Sequence, residues 1–319
     1  MWLFVGPTMK SGVGQVVKKY CTFMNGEYCQ LGEKPKESKY SHGFLFIFPD
    51  VDVDYYISLC ESIMVMTVCE TKQLNTKYKQ LLKYKPLYLP SQFCIDVFTN
   101  QYPEGEYKLL RHYTPIPKSV QKQHPYTFYT IGNIVDPRKN INLLLECITI
   151  IGARLLIKST GLYNVKIPLN NVVVINHILD DESMNSIHDA CDCYINCSHS
   201  EGVGMGAVEA ALRNKPVIIT DYGGLKEYVH TPYIVSCTEI PLGYSEYLYE
   251  KDMVWGNPSK EELLTFMKEC LSQDIRVMDH SFTRELMKTF SWPIINGQQY
   301  DDSPPGSNPD LVYDTDTAL

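Results

Sequence analysis

From residue 127 onward the chain repeats one pattern, a short continuous apolar run followed by an amphipathic stretch. TFYTIG (127–132), RLLIKS (154–159), NVVVIN (171–176), CYINCS (193–198), PVIIT (216–220) and YIVS (233–236) read as strands. NINLLLECITII (140–151), DDESMNSIHDAC (180–191) and GAVEAALRNK (206–215) read as the helices among them. Strands this continuously apolar are buried on both faces, and interleaved helices supply the crossovers that parallel strands require. The pattern therefore predicts an α/β domain built on a parallel sheet.

The first third of the chain follows the same rule. WLFVG (2–6) runs into PTMKSGVGQVVKKYCTFM (7–24), a strand, a glycine-containing loop and a helix. GFLFIF (43–48), IMVMTV (63–68) and PLYLPS (86–91) are further buried strands, with a polar amphipathic stretch, TKQLNTKYKQLLKYK (71–85), before the last. Around 111–126 proline and polar residues displace the apolar rhythm, as in a linker between domains. The expected division is an N-terminal Rossmann-like domain over 1–115, a second over 116–295, and a cleft between them. A Ser259 N-cap with Glu262 three residues on predicts a capping box over SKEELLTFMKECLS (259–272). The tail 296–319, rich in Asp, Pro, Gly and Ser, buries too little to offset its ordering entropy.

At 319 residues, with 44% apolar residues, the chain can bury two such cores without covalent staples. A net charge of −8 argues against a nucleic-acid partner, which needs clustered Lys and Arg, while leaving room for a local phosphate site. The eleven cysteines are scattered, and Cys191 and Cys193 lack a second Cys/His pair nearby that would complete a zinc site. Reduced thiols in the cytoplasm are the simplest reading, with no metal site. MWLFVGP lacks a basic n-region, and no apolar run approaches the roughly 18 residues of a membrane span.

Chemistry concentrates in SHSEGVGMGAVEAALRNKPVIITDYGG (198–224), where Glu201 and Glu209 flank the turn made by Gly202, Gly204 and Gly206. Three readings compete. The plainest is a tight strand-to-helix turn with solvated acids. A second is a dinucleotide fingerprint, G-x-G-x-x-A, with Asp221 as the ribose acid of a dehydrogenase. The third uses both carboxylates: acceptor-only groups suit the hydroxyls of a sugar and of a ribose, with a diphosphate against bare backbone between them.

Residues 200–229 resemble the Glu-x7-Glu signature of retaining GT-B glycosyltransferases of the family 4 type. The resemblance extends over 126–292, through YTIGNIVDPRKNINLLLE, DESMNSIHDACDCYINCSHSEG, KPVIITDYGGLKEYV and the final FSW (290–292). It is weaker in the N-terminal half, where MKSGVGQVV and MTVCETKQL, with Glu70, are similar to family stretches. That half is shorter than the family norm, a compact form similar to glycosyltransferases of large DNA viruses.

The resemblance implies a GT-B fold and transfer of a sugar from a UDP- or GDP-linked donor to a hydroxyl of a glycan or glycoprotein, with retention and without a required metal or cofactor. Glu201 would position the donor sugar and Glu209 the nucleoside. Gly12, Gly14, Gly132, Asn133, Gly202, Val203, Gly204, Met205 and Gly206 would line the donor. Family members carry Arg directly after the glycine of the loop at 132; here that position is Asn133, leaving Lys139 and Arg138 to neutralise the diphosphate. His42, ahead of a strand, is a candidate to meet the sugar. The alternative is a non-catalytic relic that still binds the nucleotide-sugar.

Overall fold

The computed structural model describes residues 1–117, 124–160, 165 and 167–293; the acidic tail expected over 296–319 lies outside them. The first unit runs β1 (Trp2–Gly6), α1 (Gly12–Phe23), β2 (Glu27–Gln30), β3 (Tyr40–Phe46), α2 (Asp54–Ser58), β4 (Cys60–Met66), β5 (Leu87–Leu89), α3 (Gln92–Gln101) and β6 (Tyr107–Leu109). Its strands are parallel in the order β2-β1-β3-β4-β5-β6. The polar stretch 71–85 contributes only a 3-10 turn, Thr76–Lys83, capped by the Asn75 side chain.

The second unit runs β7 (Thr127–Gly132), α4 (Ile141–Ile151), β8 (Arg154–Ser159), β9 (Val172–Ile175), α5 (Asp181–Asp189), β10 (Cys193–Asn196), α6 (Met205–Ala211), β11 (Val217–Thr220) and β12 (Ile234–Val235). An antiparallel hairpin follows, β13 (Cys237–Pro241) with β14 (Val254–Pro258), then α7 (Lys260–Ser272) and α8 (Ser281–Lys288). The parallel sheet is ordered β12-β11-β10-β7-β8-β9, the doubly wound order in which the chain reverses direction between β7 and β10. Ligands of such sheets bind outside the carboxyl ends of the strands at that reversal.

The alternation of strands and helices is as expected, and the two sheets carry separate cores. Leu3, Phe4, Phe44, Leu45, Met66 and Leu87 centre the first. The second sheet is covered on one face by α4 and α7, around Leu144, Ile148 and Met267, and on the other by α6, around Ala207, Val208 and Ala211. One boundary differs from expectation. Phe290 and Trp292 cross back and pack with Trp2, Phe4, Tyr20 and Phe44, so the end of the second stretch belongs by packing to the first domain. Aromatic residues this large gain more from a closed core than from solvent, and the first sheet leaves them that place.

The capping box at α7 is half formed. Ser259 Oγ accepts from Glu262 N, but the Glu262 carboxylate accepts from Ser236 N at 2.7 Å instead of turning back on its own cap. The eleven cysteines are all free. Among the described residues no helix is long and apolar enough to cross a membrane.

Candidate functional site

At the sheet reversal, the loop after β7 supplies cations and the loop after β10 supplies a carboxylate. Lys139 Nζ donates to Glu201 Oε1 at 2.6 Å and Arg138 Nη1 to Glu201 Oε2 at 3.1 Å. Ser198 Oγ adds a 2.7 Å bond to Oε1, and Asn196 Nδ2 a longer one. Burial opposes ionisation of Glu201, but Lys139 and Arg138 outweigh it and hold the carboxyl down at about 2.

Arg138 is the most heavily engaged cation here. Its Nε lies 3.0 Å from Glu70 of the first domain, its Nη2 3.2 Å from Asp136, and Nη1 also donates to the Ser200 carbonyl. Glu70 in turn accepts from Tyr249 Oη at 2.6 Å. One guanidinium therefore joins three carboxylates from both domains, and its pKa is driven well above normal against the effect of burial.

Glu209 lies one helical turn into α6 and faces the opposite domain. Lys19 of α1 donates to its Oε1 at 2.7 Å, and His188 Nε2 stands 3.5 Å from Oε2. Burial works against ionisation, but Lys19 and His188 bring the Glu209 carboxyl far below the usual range. His188 is buried on α5, with its Nδ1 2.9 Å from Tyr129 Oη, so its ring is fixed in place against the glutamate.

The glycines between the two carboxylates are required by geometry. Gly204 has φ +76° and precedes α6 as a cap without a side chain. A Cβ on Gly202 would enter the Val68 side chain of the first domain, and one on Gly206 would strike Tyr194 Oη. Val203 is buried, and Met205 packs against both cores, at the seam of the domains. Gly132 ends β7 against the aliphatic chain of Lys139. Among the described residues the Asn133 side chain is bound locally, its Oδ1 accepting from Val135 N at 3.4 Å. Gly12 and Gly14 open α1, the helix that carries Lys19; a Cβ on Gly14 would collide with the Thr8 carbonyl, while Gly12 has open space.

His42 is the correction. It is the third residue of β3, near the strand's amino end, paired in register with Trp2, and its Nδ1 is 2.6 Å from Ser62 Oγ. That is the amino end of the sheet, whereas Val68, Glu70 and the α1 loop meet the second domain at the carboxyl end. Strand direction thus excludes His42 from the cleft. His199 is also held structurally, stacked on Trp255 with centroids 4.4 Å apart and its Nδ1 on the Gly256 carbonyl.

Sequence reasoning missed Lys19 and His188. A lysine two turns beyond a glycine loop carries no signal of its own, and neither does a histidine at the end of an amphipathic helix. The dehydrogenase reading also fails on topology. A dinucleotide fingerprint opens the first βα turn of its sheet, but these glycines follow β10, fourth in that order, and Asp221 is exposed and ion-paired to Lys226.

A solved glycosyltransferase of Rickettsia africae superposes with a TM-score of 0.60 at 12% identity, over 91% of this chain and 93% of that one. HepE of Anabaena, solved with UDP-glucose, superposes with a TM-score of 0.60 at 12% identity, over 91% and 95%. The fold is GT-B. Within it, residues 125–240 match the family model described as Glycosyl transferases group 1. An uncharacterized glycosyltransferase of Methanocaldococcus jannaschii is 29% identical over 174 residues, which is 52% of this chain. The chain spans 45% of the length of that relative. In GT-B terms, the reversal between β7 and β10 places the Glu201 cluster on the cleft side of the C-terminal domain, opposite Lys19 and Glu70.

Proposed function

We propose that this protein transfers a sugar from a nucleoside-diphosphate sugar, UDP- or GDP-linked, to a hydroxyl of a glycan or glycoprotein, with retention of anomeric configuration. The observation that carries this reading is the pair Glu201 and Glu209, held ionised on either side of a glycine turn at the sheet reversal.

The donor carries the groups that can replace the ion pairs seen here. Its sugar hydroxyls donate to Glu201, and its diphosphate oxygens accept from Lys139 and Arg138, so carboxylate and cations exchange each other for the ligand. Glu209 accepts from the ribose diol once Lys19 yields. As the bond from the anomeric carbon to the diphosphate breaks, negative charge grows on the leaving phosphate, and Lys139 stabilises it. The donor phosphate itself takes the acceptor proton, so no protein nucleophile and no metal is assigned.

A second reading has one observation in its favour: Arg138 is bound by Glu70, Asp136 and Glu201 and Asn133 bears no charge, as a relic that binds donor without turnover would allow. Nucleotide release from UDP- and GDP-hexoses separates the two. Release in wild type, abolished in Glu201→Ala and Glu209→Ala, supports transfer; nucleotide binding without release on any acceptor supports the relic.

A further inference from the structure

Gly223 and Gly224, just beyond β11, press against the Glu201 turn from behind. Gly224 N donates to the Glu201 carbonyl at 2.8 Å. Gly223 has φ +86°, and a Cβ on it would collide with the Glu201 backbone. A Cβ on Gly224 would meet the Gly202 carbonyl and Ser91 of the first domain. The segment thus sits between the glutamate and the facing domain with no space to spare.

Three residues on, Glu227 reaches across the domain boundary. Its Oε2 accepts from Gln92 N at 2.7 Å and its Oε1 from Phe93 N at 2.8 Å. These are two of the N–H groups that the start of α3 leaves without an intrahelical partner, and an anion there also meets the positive end of the helix. Arg111 Nη1 stands 3.5 Å from the same carboxylate. The next residue, Tyr228, is fully buried; its hydroxyl donates to the Pro90 carbonyl and accepts from His112 N at 2.9 Å. Two adjacent side chains of one domain therefore satisfy backbone groups at four positions of the other.

We propose that Glu227 is a positioning residue: it clamps the domains at the amino end of α3 and, through Gly223 and Gly224, sets Glu201 in register with the facing domain. The proposal rests on the transfer reaction above for its kinetic consequence, but not for its structural one. The other ion pairs across the boundary differ in kind. Lys19–Glu209 and Arg138–Glu70 join long side chains inside the cleft, where a ligand can replace them. Lys18–Asp181 and Lys72–Glu239 are exposed side-chain pairs on the rim. Of these, only Glu227 binds backbone of the facing domain, which cannot swing aside.

The test uses the full chain, with Glu227→Ala, Glu227→Gln and the rim control Lys72→Ala, each checked for folding by its thermal unfolding midpoint. Small-angle scattering should show a larger radius of gyration for Glu227→Ala and none for Lys72→Ala. UDP and GDP titrations should stay within about twofold of wild type, because Glu209 and its turn remain intact. Turnover on the nucleotide-sugar should fall about 100-fold in kcat, the scale of a displacement near 1 Å between reacting groups. Glu227→Gln, which keeps one acceptor oxygen, should recover part of that loss. Unchanged scattering and kcat in Glu227→Ala, equal effects in Lys72→Ala, or loss of nucleotide affinity in parallel with kcat would each overturn the proposal. Absence of nucleotide binding and turnover in wild type would instead defeat the proposed reaction, leaving the clamp to stand or fall on scattering alone.

Discussion

Lys139 Nζ lies 2.6 Å from Glu201 Oε1, so the loop after the first strand of the C-terminal sheet is bonded to the loop after the fourth across the reversal between them. The pair is nearly enclosed, and neither charge can be removed without leaving the other in a medium that solvates it poorly.

Replacing Glu201 by Ala should therefore do two things. Turnover should be lost, and the unfolding midpoint should drop by the equivalent of about 3–5 kcal/mol, the usual effect of stranding one half of a buried ion pair. Glu201→Gln, which keeps the contacts with Ser198 and Asn196 but leaves Lys139 without its counter-charge, should recover part of the stability and none of the turnover. Calorimetry beside a nucleotide-release assay gives both readings.

The same carboxylate makes stability depend on acid. Glu201 has its pKa at about 2 in the folded protein, below the ordinary value of 4.5, so the folded state binds its proton later than the unfolded chain. Its contribution is complete above the unfolded value and is lost as pH falls from there toward about 2. Denaturant melts across that window should show a shallower pH slope in Glu201→Gln than in wild type; equal slopes contradict the assignment.

Lys19 competes with any diol for Glu209. Lys19→Met should bind UDP or GDP several-fold tighter than wild type, with less dependence on salt, because the ligand no longer displaces an ammonium. Weaker binding in titration calorimetry would mean that Lys19 touches the ligand itself.

Lys158, next to last in β8, is 5% exposed, with its ammonium on the Ser159 carbonyl and no carboxylate partner among the described residues. Burial lowers its pKa, so the folded state disfavours its charge and gains stability as pH rises through the depressed value. Lys158→Met removes that penalty and should raise the unfolding midpoint at pH 7 by a few degrees.

The two glycines at the start of α1 should behave oppositely. Gly12→Ala meets no atom and should be neutral or stabilising by up to about 1 kcal/mol, from a less flexible unfolded chain. Gly14→Ala drives a methyl into the Thr8 carbonyl and should destabilise. Paired melts of the two variants decide it.

Much of this was legible in the residues alone. Period and composition placed most of the parallel strands and most of the helices, because burying a run such as CYIN or VIIT on both faces leaves few other structures open. Glu201 and Glu209 could be singled out because carboxylates around a glycine turn at a strand end are a local pattern, whereas Lys139 and Arg138 were marked only by the resemblance to the GT-B family. β2 and β6, at four and three residues, and the hairpin of β13 and β14 escaped notice, since their runs are too short or too mixed to carry a period.

Which partner each charge meets was decided only in three dimensions. Lys19 and Glu209 are 190 residues apart, and Lys139 and Glu201 are 62 apart. Their pairing depends on how two sheets face each other, and no repeat along a single chain encodes that. His42 shows the same limit from the other side: its residue type suited the chemistry, but parallel strand direction put it at the amino end of β3, away from the second domain. The sequence by itself determined the layers of this protein and the chemistry along their edges, because burial is a property of each segment. Tertiary structure decided which edges meet, because electrostatic pairing is a property of two surfaces brought together.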